Sequence, residues 1–283
     1  MKASKDAVTT QPKSKRKKPR KTKTFEGLFP DMLEDGESET PLHQAQDIIY
    51  EAWEEAGGQK RVELAQRALE ISPDCADAYV LLAEDGAASL AESLELYRKG
   101  VEAGERALGK EAFTEGAGHF WGMIVTRPYM RARTGLAQSL WRTGQKEEAV
   151  CHYKGLLELN PNDNQGIRDL LMPCLIEMGK DEEAERLYHE YDEVMASWGY
   201  SRALLDFRRE GNSQTSRESV RAALKQHRHV PRYLLGKRKH PRHLPEMYSN
   251  GDANEAVIYT AYNTDAWRST PGALDWLAAC AGL

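Results

Sequence analysis

The sequence has 283 residues, 40% of them hydrophobic and 29% charged, which is enough apolar material for a real core and rules out a wholly disordered or collagen-like chain. Its net charge of −5 conceals an asymmetry: residues 1–24 hold ten Lys/Arg against Asp6 alone, whereas residues 25–283 hold 29 Lys/Arg against 43 Asp/Glu. No apolar run approaches the roughly 18–20 residues of a membrane span, no apolar stretch of a secretory signal follows the basic N-terminus, and the four cysteines (Cys75, Cys151, Cys174, Cys280) form no C-x-x-C pair, so free thiols and a cytoplasmic location are expected.

Residues 1–40 read as a disordered basic tail followed by an acidic linker. "QPKSKRKKPRKTK" has no apolar residue but proline and cannot offset its ordering entropy, and "FEGLFPDMLEDGESETP" is acidic and rich in turn residues. A folded domain is expected over 41–283. It opens with "TPLHQAQDIIYEAWEEA", a helix capped by Thr40 with Pro41 in its first turn and Leu42, Ala45, Ile49 and Trp53 at helical spacing.

Further along, Leu136, Ala137, Leu140, Gly144, Ala149, Tyr153 and Leu156 align with Leu171, Met172, Leu175, Gly179, Ala184, Tyr188 and Tyr191, each pair offset by 35 residues. Each copy is an apolar helix, a Gly turn and a second helix that opens on acidic residues suited to its N-terminal dipole. A third copy lies at "RVELAQRALEISPDCADAYVLLAE" with "LAESLELYRKGVEAG", and a degenerate one at "SWGYSRALLDFRREG" with "SRESVRAALKQHRHVP". The pattern resembles the tetratricopeptide repeat. It predicts an all-α fold, a tetratricopeptide-like α-α superhelix or solenoid. Leu82 to Leu136 spans 54 residues, so an insertion at about 104–130, centred on "GKEAFTEGAGHFWGMIVTRPYM", interrupts the array. It either builds part of the binding face or packs back as a plug. Pro173 falls inside a repeat's first helix, which must start late or kink.

"SPDCADAYVLLAE", "HVPRYLL" and "GDANEAVIYTAYNTDAWRSTPGAL" together resemble the suppressor of tumorigenicity seven family, whose motifs they match in order across most of residues 60–277. Animal members carry transmembrane segments, for which this sequence has no counterpart, and the insertion "GHFWGMIVTRPYMRAR" is more similar to shorter soluble bacterial proteins of this architecture. The resemblance brings no catalytic residues with it. A C-terminal cap is expected at about 231–283, with Asp252 and Glu255 as a capping box and Thr270–Pro271 at the start of a last helix closing the end of the array.

For function, there is no G-x-S-x-G, Walker loop, H-E-x-x-H or Rossmann fingerprint, so no enzyme, cofactor or catalytic residue is expected. "HRHVPRYLLGKRKHPRH" (residues 227–243) holds four histidines, but Pro231 and Pro241 break their spacing and no Cys or carboxylate completes a ligand set, so no metal is expected. The expected role is a protein-binding scaffold, its concave groove lined by first helices, with Thr134, Gln138, Trp141, Arg142, Asp169 and Ile176 facing a partner whose identity is unknown. Trp141 supplies an apolar anchor unless the insertion covers it, and Arg142 a carboxylate partner. Thr134 and Gln138 stand where repeats that clamp a chaperone's C-terminal carboxylate use Lys and Asn, which disfavours that partner. The alternative is a protein that associates with nucleic acid or another polyanion through the basic tail and the basic segment 221–243, with Arg228, Arg232, Lys237 and Arg238, by phosphate contacts alone.

Overall fold

The computed structural model describes residues 40–191 and 195–283, and the tail and linker expected before Thr40 lie outside the described residues. Among these there are helices and connecting turns and no strand. The helices come in consecutive antiparallel pairs: α1 (Pro41–Glu54) with α2 (Gly58–Ile71), and α3 (Ala76–Leu81), prolonged by a π-helical turn over Leu82–Gly86, with α4 (Leu90–Glu115). Then follow α5 (Arg127–Arg142) with α6 (Lys146–Leu159), α7 (Ile167–Glu177) with α8 (Asp181–Glu190), and α9 (Ala196–Glu210) with α10 (Gln214–Gln226). The first helices also touch across pairs, α1 on α3, α3 on α5 and α7 on α9, which makes the array a solenoid.

Local chemistry fixes the pairs. Thr40 Oγ1 accepts the His43 N–H at 3.2 Å at the start of α1, as the sequence predicts. The Gly144 turn is a left-handed cap (φ 85°): its N–H donates to the Trp141 carbonyl and the Gln145 N–H to the Leu140 carbonyl. Gly179 (φ 69°) repeats both bonds, to the Ile176 and Leu175 carbonyls. One turn is thus used twice, between α5 and α6 and between α7 and α8. α7 starts late, where the Asp163 carboxylate accepts the Ile167 and Arg168 N–H groups at 2.7 and 2.8 Å, but Pro173 still lies inside the helix, six residues past its first, and has no N–H to donate there.

The insertion starts later than its expected boundary. α4 continues as helix through residue 108 and breaks at Gly109, whose φ of 70° and ψ of 165° no helix tolerates. Gly104 belongs to the packed part of α4, since a Cβ there would lie 2.9 Å from that of Tyr129 on α5. Beyond the break, Phe120 is buried against Phe113 and Tyr129, with ring centroids 5.2 and 6.2 Å away, so the insertion packs back onto α4 and α5.

After α10 come the short α11 (Val230–Leu234), α12 (Ala253–Arg268) and α13 (Ala273–Ala281). α13 packs on α10, α11 and α12, whereas α12 lies against the first helices α7 and α9. The C-terminal element therefore runs onto the inner face of the array as well as closing its end. The last helix begins two residues beyond Pro271, and Thr270 instead donates its hydroxyl to the Ala266 carbonyl at 2.9 Å.

Candidate partner-binding groove

The concave face is divided by α12. On its open side lies a pocket of about 340 Å³ walled by Gln138, Trp141 and Arg142 of α5, Tyr153 of α6, Leu170, Pro173, Cys174 and Glu177 of α7, and Tyr262 of α12. Three of the six groove residues predicted from sequence meet here. The Trp141 indole is half-buried with the Lys146 ammonium 5.0 Å over its ring, and Lys146 also donates to Glu177 at 2.6 Å, which raises the lysine pKa. Arg142 is exposed and, among the described residues, has no carboxylate within ion-pair distance. Burial pushes the Cys174 thiol up to about 12, so it lines the wall as an apolar group. Insertion residues do not reach this pocket, which removes the insertion as the cover of Trp141.

The other three predicted residues lie elsewhere. Thr134 is half-buried, with its hydroxyl donated to the Met130 carbonyl at 2.8 Å. Asp169 accepts from the Ser197 hydroxyl at 2.9 Å. Ile176 is only 1% exposed and belongs to the core, because its helix α7 carries α9 and α12 against it while its counterpart Trp141 on α5 stays accessible.

Upstream of the pocket the inner face is polar and braced. Asp77 on α3, wholly buried, accepts from Arg131 Nε and Nη2 on α5 at 2.8 and 2.5 Å and from Gln46 Nε2 on α1 at 2.9 Å. Arg131 also lies 5.0 Å over the Trp53 ring. One carboxylate thus joins three successive first helices.

Two further constellations hold α12 in place, and the sequence reading missed both. His227, the first histidine of the basic segment, is buried and its Nδ1 lies 2.8 Å from Glu255 Oε2. Glu255 also accepts the Ala196 and Gly251 N–H groups at 2.8 and 2.6 Å. Burial alone would raise the Glu255 pKa, but the His227 hydrogen bond and those two N–H donors outweigh it and hold the carboxyl below its usual range. Asp252 does cap α12, accepting the Glu255 N–H at 2.7 Å, but the Glu255 side chain serves the buried pair rather than a capping box. Arg208 of α9 donates to the Ile176 carbonyl (2.6 Å), Asp181 (2.8 Å), the Thr270 hydroxyl (2.8 Å) and the Ala266 carbonyl (3.3 Å), tying the ends of α7 and α12 together.

The remaining histidines separate. His240 stacks edge-on to Tyr233 and lies 3.2 Å from the Thr260 hydroxyl, and His243 is exposed; among the described residues no group of three or more potential ligands is assembled. Arg228, Arg232, Lys237 and Arg238 are all exposed with no ion-pair partner among the described residues, although Arg238 lies 5.4 Å over the Tyr233 ring. No helix among the described residues is long and apolar enough to cross a membrane.

A family model described as "ST7 protein" matches residues 35–281. The human "Suppressor of tumorigenicity 7 protein-like" is 27% identical over 261 residues, which are 83% of this chain and 45% of the human protein. "Protein ST7 homolog" of Drosophila melanogaster is 27% identical over 257 residues, 82% of this chain and 47% of the fly protein, and the Danio rerio "Suppressor of tumorigenicity 7 protein-like" is 27% identical over 256 residues, 83% and 44%. The chain thus spans a little under half the length of the curated relatives it matches. With the match running from six residues before α1 almost to the last residue, the chain belongs to the ST7 protein family.

Proposed function

We propose that the protein is a soluble, cytoplasmic tetratricopeptide-type scaffold of the kind found in shorter bacterial members, which binds a segment of a partner protein in its groove and has no catalysis of its own. The observation that carries the reading is the pocket between α5, α7 and α12. It offers a half-buried indole, a guanidinium with no ion-pair partner among the described residues and the half-exposed Tyr262 phenol within one concavity, side-chain types that dominate interface energetics. A partner segment with an apolar residue for Trp141 and a carboxylate for Arg142 fits it. The test compares wild type with Trp141→Ala and Arg142→Ala in affinity capture from native lysate, followed by titration of the captured protein. Loss of about tenfold or more in affinity for either variant supports the groove. Equal capture by all three removes it, and turnover of a substrate that disappears with one polar substitution removes the non-enzymatic reading.

The exposed cations of 228–242, with no ion-pair partner among the described residues, favour one second reading, contact with nucleic acid or another polyanion. It requires a mobility shift of RNA or DNA that falls with salt. The shift must vanish on deleting residues 1–24 and neutralising Arg228, Arg232, Lys237 and Arg238.

A further inference from the structure

A second concavity, of about 480 Å³ and mostly apolar, lies between the first half of α1 and the insertion, apart from the pocket at Trp141. Its walls are Leu42 and Tyr50 on one side and Ile124, Val125 and Tyr129 on the other, over a floor that includes Gly104. Two of these side chains contact water to an extent unusual for their type: Ile124 is 65% exposed and Tyr50 44%. An apolar cleft rimmed by exposed bulky residues marks a binding site.

The chain itself supplies a ligand of the right chemistry at the right place. Thr40 and Pro41 directly precede Leu42, so the polypeptide enters the fold at the edge of this cleft. Between residues 9 and 39, every Phe, Leu and Met falls in one stretch of nine, "FEGLFPDML" (residues 25–33), with Phe25, Leu28, Phe29, Met32 and Leu33. A polar stretch, "EDGESE", links it to Thr40. The seven steps from Leu33 to Thr40 span at most about 25 Å, ample for a return to a cleft beside the point of entry. A tether of that length gives an effective concentration in the millimolar range, which favours the chain's own segment over a second copy. We propose that residues 25–33 dock in this cleft and cover Tyr50 and Ile124. The inference does not depend on the groove reading above.

Hydrogen exchange on the full chain tests it. Amides of residues 25–33 are expected to exchange about tenfold more slowly than in a synthetic peptide of residues 20–36. F25A/L28A/F29A should abolish that protection and speed exchange over residues 121–129 several-fold, with α9 and α10 unaffected. Those substitutions lie outside every described helix, so the described helices should give the circular dichroism of wild type. Ile124→Glu, at an exposed position, should release 25–33 in the same way. Exchange of 25–33 at the free-peptide rate overturns the proposal. So does protection that grows with protein concentration alongside a dimeric mass by light scattering, which would place the segment in a second copy.

Discussion

The two ends of the solenoid are built from different materials. The core around α1, α2 and α3 consists mainly of small and aliphatic side chains (Ala45, Ile48, Ile49, Ala52, Ala65, Ala68, Ala78 and Leu81), and its inner face is joined by the single carboxylate of Asp77. The core around α9, α12 and α13 is aromatic: Trp267 lies 6.3 Å from Tyr200 and 6.4 Å from Trp276, and Phe207 stacks on Trp276 at 4.5 Å. There the inner face is filled by α12, and buried polar groups lock it. Filling a concave face thus requires large side chains and satisfied hydrogen bonds, while the face left open is lined by accessible polar and aromatic groups. The pocket proposed above for a partner is walled on one side by α12, through Tyr262.

The comparison breaks most sharply at Trp267, which is fully buried and donates its indole N–H to the Tyr259 hydroxyl at 2.8 Å. Trp267→Ala is expected to cost about 3–5 kcal/mol, read from urea unfolding. Because contacts in an array are local, the loss should fall on the C-terminal half, with a first transition that no longer coincides with the second. Buried thiols report which half opens: Cys174 sits in α7 and Cys75 in the N-terminal core, both pushed up to about 12 by burial. Labelling of Cys174 should accelerate in the variant while that of Cys75 stays slow. A single transition with both thiols exposed together would mean that the ends are one cooperative unit.

Glu255→Gln comes next. Removing the charge from a buried carboxylate held by three hydrogen bonds costs about 3 kcal/mol. The pH dependence carries its own sign. The Glu255 carboxyl titrates below its usual 4.5 in the folded state. Its contribution is therefore complete above that value and is lost as pH falls through the lower folded pKa. Wild type should lose C-terminal stability below about pH 4.5, and Glu255→Gln should show a smaller loss over that interval, followed by urea midpoints from pH 6 to pH 3. Parallel curves for the two proteins would remove Glu255 as the origin.

The repeats were legible because their signal is backbone geometry. Gly144 and Gly179 must take the left-handed conformation of a helix cap, and only a 35-residue offset brings Leu136, Ala137 and Tyr153 onto Leu171, Met172 and Tyr188. The position of α12 was not legible. Glu255, Val257, Tyr259, Thr260, Asn263 and Trp267 are all buried, so the helix shows no single apolar face from which to read its neighbour. Asp252 followed by Glu255 has the form of a capping box, and nothing local distinguishes it from a cap whose glutamate reaches a histidine 28 residues upstream. Arg208 binds two main-chain carbonyls, which leave no sequence signature at all. Ile176 takes the same register position as Trp141, yet it is buried, because α7 is covered where α5 is not.

At the N-terminal end the corresponding test is smaller. Asp77→Asn removes the charge from a buried acceptor of three hydrogen bonds, at a cost of about 2 kcal/mol for bonds of this charge-assisted kind. Thermal unfolding should fall accordingly, and thiol labelling should now accelerate at Cys75 rather than at Cys174. Acceleration at Cys174 instead would show that the Asp77 network supports the distant half of the array.

The smallest effect belongs to the basic loop after α11. Lys237 and Arg238 are exposed and without an ion-pair partner among the described residues, and the contact of Arg238 with Tyr233 at 5.4 Å is a cation–π interaction worth about 0.5 kcal/mol at an exposed site. Charge reversal by K237E/R238E should leave the urea midpoint within about 0.5 kcal/mol of wild type. Relief of repulsion from Arg228, Arg232, Lys239 and Arg242 offsets part of even that loss. Retention on an immobilised polyanion is the property that should change. Earlier elution in salt together with unchanged stability assigns these cations to binding. A loss of stability above about 1 kcal/mol would instead show that the loop anchors α12.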